Sequence, residues 1–133
     1  MQYVLLIYDT EPTEAVPGDQ MAAELEGYDA FTQHLRDRGA MLGGEALQPT
    51  ATATTVRVLD GRTIATDGPF AETKETLGGF YLVEAADLDE AIAYGAMIPA
   101  AKHGSIEVRP IWHYGAAGVT EPGAESATVA AGN

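Results

Sequence analysis

The sequence predicts an α+β fold: a ferredoxin-like split β-α-β arrangement with an antiparallel sheet and an inserted β-hairpin. Three observations carry that expectation. Strand-like and helix-like patterns alternate along the 133 residues in the order strand, helix, strand, hairpin, strand, helix, strand. Asp60-Gly61, between two runs rich in β-branched residues, is the turn pair of a type I′ hairpin. Without that hairpin the order is a doubled β-α-β, whose right-handed crossovers put both helices on one face of the sheet.

The first element is the run Tyr3-Val4-Leu5-Leu6-Ile7-Tyr8, closed by Asp9-Thr10-Glu11-Pro12, and it reads as a buried central strand. The run is too short to span a bilayer and has no basic region before it, so it is a strand rather than a signal segment. Residues 11–18, with two prolines and a glycine, form a loop. Asp19 then reads as the N-cap of an amphipathic helix. Met21, Leu25, Tyr28, Phe31 or Thr32, and Leu35 recur there at helical spacing, and Gly39 stops the helix.

Residues 41–47 form the second strand, where the Gly43-Gly44 pair predicts a bulge or a close approach. Residues 54–59 and 62–66 are the hairpin strands, and residues 77–84 the next long strand. Asp87-Leu88-Asp89-Glu90 is a capping box. The helix it opens must end near Ile98, because Pro99 disfavours α geometry in the residue before it. Residues 105–109 make the last strand, and Pro110 suits a sheet edge. From Gly115 onward only Val119 and Val129 are larger apolar groups, which predicts one domain over residues 1–114 and a disordered tail over 115–133.

Composition narrows the functional classes. A hydrophobic share of 46% supports an ordinary core. The formal net charge of −13 makes nucleic acid phosphates and anionic membranes poor partners. With no cysteine there is no disulfide, no thiolate zinc site and no cysteine nucleophile, in keeping with a cytoplasmic protein. The strands Val4-Leu5-Leu6-Ile7 and Phe80-Tyr81-Leu82-Val83 are nearly continuously apolar, so both faces of the sheet are expected to be covered. With both helices on one side, the economical cover for the other is a second copy, giving a homodimer.

The stretch Ala65-Thr66-Asp67-Gly68-Pro69-Phe70-Ala71-Glu72-Thr73-Lys74-Glu75, followed by Leu77-Gly78-Gly79-Phe80-Tyr81-Leu82, resembles the signature of YCII-related proteins of the Asp-Gly-Pro-Phe branch. Asp87-Leu88-Asp89-Glu90-Ala91 and Glu107-Val108-Arg109-Pro110 extend the likeness over residues 1 to about 114. The resemblance implies a dimeric α/β barrel, and a regulatory setting beside sigma factors of the extracytoplasmic-function type. It identifies no reaction. Shorter YCII proteins carry a histidine–aspartate acid–base dyad on their two helices; Tyr28 and Ile98 fall at those places here, so the dyad is not carried over.

The residues that remain as candidates follow from chemistry. Asp67 before Gly68-Pro69 builds a tight turn, and either aims Phe70 into the core or lines a pocket with Glu72, Lys74 and Glu75. Lys74 is one of two lysines, a cation able to hold an anionic group in an acidic protein. Arg57, mid-strand, either points outward or meets a carboxylate such as Asp67 or Glu72. Histidine is the natural acid/base near neutrality. His34 falls beside the apolar stripe of the first helix, His103 in a loop and His113 at a strand end, and no pair has metal-ligand spacing.

The expected ligand-binding set is thus Asp67, Phe70, Glu72, Lys74, Arg57 and Tyr28, with Asp67, Glu72 and His34 as catalytic candidates and with no metal or cofactor. Three functions fit: a small-molecule-binding dimer with a sensor or accessory role, a cofactor-independent acid–base enzyme, or an interaction module for a transcription regulator.

Overall fold

The computed structural model describes residues 1–115 and 118–120. Its first strand, β1 (Gln2–Asp9), buries Tyr3, Leu5 and Ile7 and turns Val4, Leu6 and Tyr8 to the opposite face. It lies inside a four-stranded antiparallel sheet of order β2-β5-β1-β6, built with β2 (Met41–Ala46), β5 (Thr76–Glu84) and β6 (Ser105–Pro110). Register sets Leu5 opposite Tyr81 on one side and Val108 on the other.

Both helices cover the face that carries Leu5. From α1 (Gly18–Asp37), Phe31 meets the Tyr81 ring edge to face at 4.9 Å, and Leu35 is fully buried. From α2 (Leu88–Met97), Ala91 and Tyr94 enter the same core, which Ile98 closes. This is the expected α+β, ferredoxin-like layering.

Several local details differ from the sequence reading. Asp19 does not cap α1: Pro17 does, its carbonyl accepting from the Met21 N–H at 3.0 Å, while the Asp19 carboxylate accepts only from Gln20. Met21 and Leu25, placed in the apolar stripe by their spacing, are 50% and 59% exposed, so packing of α1 begins at Tyr28. In the capping box Asp87 accepts from the Glu90 N–H at 2.9 Å, but Glu90 reaches back to the N–H of Ala86. The bulge in β2 falls between Met41 and Gly43, which lifts Leu42 to the surface.

At the other edge the Ile111 N–H donates to the Gln2 carbonyl, so the neighbouring Pro110 occupies a register position whose nitrogen points away from the sheet. No helix among the described residues is long and apolar enough to cross a membrane.

The hairpin stands apart as a two-stranded arm of β3 (Thr54–Leu59) and β4 (Arg62–Asp67). Its turn is as expected, with Asp60 at φ 51° and Gly61 at φ 76°. Val56, Val58, Leu59 and Ile64 are all exposed. A short ladder pairs β7 (His113–Gly115) with β8 (Gly118–Thr120). The expected disordered tail otherwise lies outside the described residues.

Candidate functional site

Antiparallel pairing brings the end of β1 to the beginnings of β5 and β6, with Asp9 opposite Thr76 and Tyr8 opposite Ser105. The polar residues that close one strand therefore meet those that open two others. A 3-10 turn, Pro99–Lys102, delivers the chain from α2 to β6 and ends with the Gly104 N–H donating to the Ala100 carbonyl at 2.7 Å. Gly104 then passes so close to β1 that a Cβ there would collide with the Tyr8 carbonyl oxygen and stand 3.1 Å from Asp9 Cγ. That approach sets His103 beside Asp9.

The His103 Nδ1 lies 2.8 Å from Asp9 Oδ2, while Asp9 Oδ1 accepts from the Thr10 N–H at 2.8 Å. Glu75 accepts from the Ser105 hydroxyl at 3.1 Å. Glu11 accepts twice from Thr50, from its N–H at 2.7 Å and its hydroxyl at 2.8 Å. Those bonds, the backbone one first, hold the Glu11 carboxyl below its usual pKa. Tyr28 belongs to the same end. Burial first, and then the charge of Glu24, raises its phenol pKa, with the Ala100 backbone opposing and Tyr81 and Asp9 adding smaller effects. It therefore stays a hydrogen-bond donor at neutral pH.

The sequence-derived site residues do not all gather. Tyr28 is half-buried between α1 and the 3-10 turn. Asp67 ends β4, and Glu72 and Lys74 follow on the connector to β5, all exposed. Among the described residues neither Lys74 nor Arg57 forms an ion pair, so Arg57 takes the outward of its two readings. Phe70 is 78% exposed, which removes the reading that the turn aims it into the core. His34 lies 6.1 Å from the Tyr94 ring, among structural aromatics. Arg109 pairs with Glu107 on its own strand. No cluster of three or more potential metal ligands occurs among the described residues.

Comparison with known proteins fixes the relationship. The family model described as the YCII-related domain matches residues 1–114. The chain belongs to the YCII-related family. A Rhizobium meliloti (strain 1021) protein, described as uncharacterized, is similar to it: 38% identical over 117 residues, covering 86% of this chain and 94% of that one.

This YCII-related domain has a second polar cluster at the opposite end of the sheet. An open hollow of about 250 Å³ is lined there by Met1, Arg38, Glu84, Glu90 and Tyr94. Its charges already satisfy one another. The Met1 ammonium pairs with Glu84, and Arg38 bridges Glu90 at 3.1 Å and the Tyr94 hydroxyl at 2.8 Å. That network ties α1 to α2 and the N-terminus to β5, and we assign it a structural role.

The Asp9–His103 pair was missed from sequence because 94 positions of chain order separate its members. The signal was present in the topology. A YCII-related β-α-β-β-α-β core pairs its first and last strands antiparallel, so residues closing the first stand beside residues opening the last.

Proposed function

We propose that this YCII-related protein is a homodimer that binds a small organic molecule and serves as a sensor or accessory protein. The observation that carries this reading is the bare face of the sheet. Val4 and Leu6 of β1 and Phe80 and Leu82 of β5 share it, opposite the helix-covered layer. A second copy laid sheet against sheet covers that surface, which water otherwise meets at a cost of about 25 cal/mol per Å² of apolar area.

The ligand site in this reading lies where the connector carrying Asp67, Phe70, Glu72 and Lys74 rejoins the sheet. Both roots of the arm support it: Thr50 is bonded to Glu11, and Glu75 to Ser105, at the end that also holds Tyr28 and Asp9. The exposed arm, with Val56, Val58 and Phe70, also suits a protein partner, which keeps an interaction module as the second reading.

Light scattering should give a particle of twice the chain mass, and Leu82→Asp should reduce it to the chain mass by burying an unpaired carboxylate between copies. A stable monomer of the native sequence refutes the dimer. A thermal-shift screen of small organic molecules, repeated on Glu72→Gln and Lys74→Met, reads the site. Binding lost with stability kept to within about 0.5 kcal/mol supports the connector as the site. Binding unchanged in both variants overturns it.

A further inference from the structure

We propose that the arm docks copies of this chain together, its arginine-bearing face seated on the first turns of α1 in a second copy. The inference does not rest on the sheet-to-sheet pairing, which Leu82→Asp tests separately.

The arm has two unlike faces. Cross-strand partners share a face, as do residues two apart along a strand, so Val56 and Val58 lie on one side. Arg57, Leu59, Arg62 and Ile64 lie on the other, with Arg57 opposite Ile64 and Leu59 opposite Arg62. Cationic and apolar side chains thus alternate over that face both along and across the strands. Leu59 is 54% exposed and Ile64 41%. Neither arginine forms an ion pair among the described residues. A two-stranded ribbon is marginal in water unless it packs on another layer. This one is paired regularly from root to turn, yet its larger apolar side chains are uncovered in its own chain.

α1 carries the complement. Every residue from Gly18 to Glu26 is exposed, so the first two turns of the helix pack on nothing in the chain. Met21 and Leu25 stand one turn apart there. Glu24, three residues after Met21, and Asp29, four after Leu25, share their surface and flank the pair. Residues 18–29 include no lysine or arginine, and neither carboxylate forms an ion pair among the described residues. The two surfaces match in kind: an apolar pair among arginines, and an apolar pair among carboxylates.

Charge selects the partner. With a net charge of −13, two copies repel each other over most of their surfaces. The arm's second face is the exception, since it carries two of the chain's seven basic residues and no carboxylate. Setting it on the acidic start of α1 makes the meeting of copies attractive, and guanidinium groups pair with carboxylates by two parallel hydrogen bonds. Both surfaces are exposed in the single chain, so the arm is not seated on its own helix. A two-fold axis lets each arm seat on the other copy's helix, which closes the contact at two chains.

The chain has no cysteine, so single introduced thiols report the contact. Leu59→Cys and Leu25→Cys chains are produced together, one lengthened by a tag so that the mixed product has its own mass, and mildly oxidised. Both positions are exposed, so neither change disturbs the core. A disulfide between the two kinds of chain should form in preference to either self-disulfide. It should also exceed that of Leu59→Cys with Leu42→Cys, whose thiol lies exposed on the edge strand β2. Arg57→Glu with Arg62→Glu in the arm-donating chain should lower the mixed product about tenfold or more, because like charges set against each other across an interface are strongly unfavourable. Glu24→Arg with Asp29→Arg in the other chain should then restore it. A nitroxide on Leu59→Cys should also broaden the Met21 methyl signal of an isotopically labelled native copy and spare that of Met41. No mixed disulfide above the Leu42→Cys level, a predominant arm-to-arm disulfide, or insensitivity to the arginine reversal overturns the proposal. So does a disulfide that forms only within a chain carrying both cysteines.

Discussion

The sheet and the arm are written in the same residues and end in opposite environments. β1 and β5 alternate so that Leu5 and Val83 reach 0% exposure beneath the helices. β3 and β4 carry Val56, Val58, Leu59 and Ile64 in equally regular strands, and all four are exposed. Strand propensity and turn chemistry therefore decide that a segment is extended, whereas burial is decided by what crosses over it. β1 is linked to β2, and β5 to β6, through a helix that folds back over the strand lying between them. The arm has only its two-residue turn and no layer of its own.

That contrast can be tested by breaking each region separately. The largest effect is expected from Leu5→Ala in the covered layer, where the vacated volume lies among Tyr81, Val83 and Leu35: a loss of about 2–5 kcal/mol, read by denaturant unfolding. Gly61→Val strains the φ 76° position of the arm's turn by about 1–2 kcal/mol. Hydrogen exchange should show faster exchange of the arm amides and unchanged protection in β1 and β5. Protection lost in both would mean that arm and sheet unfold as one unit.

The smallest effect concerns the arm's root, where Thr50 holds Glu11. Its folded carboxyl lies below the ordinary 4.5, so the charged form is favoured by folding. That contribution is present above pH 4.5 and fades as pH falls through the lower folded value. The melting-temperature gap between the native sequence and Glu11→Gln should therefore be present at pH 7 and close on acidification. A gap that widens in acid contradicts the sign.

Much of the fold was legible because its signals are local. The Asp60-Gly61 turn, the Asp87 cap and the stop at Pro99 each act within a few residues, and each stands where it was expected. Asp19 misled because an Asp near a helix start caps it only where no earlier residue already closes the first turn, as Pro17, two positions before, does here. The site was less legible. Tyr28, one of the expected binding residues, does stand at the polar end, but Asp9 drew no notice because it reads as an ordinary strand terminator. His103, in its short loop, looked solvated. Its partner is supplied by strand order, which no window of neighbouring residues contains.

The outward-pointing nitrogen of Pro110 also bears on how the protein behaves when crowded. At Pro110 a strand arriving at the free edge of β6 would find no donor and a ring in its path. At the far edge, the Leu42 bulge breaks the row of groups that β2 would present. Both borders are interrupted in this way, which weakens the edge-to-edge pairing that seeds the stacked, open-ended sheets of fibrils.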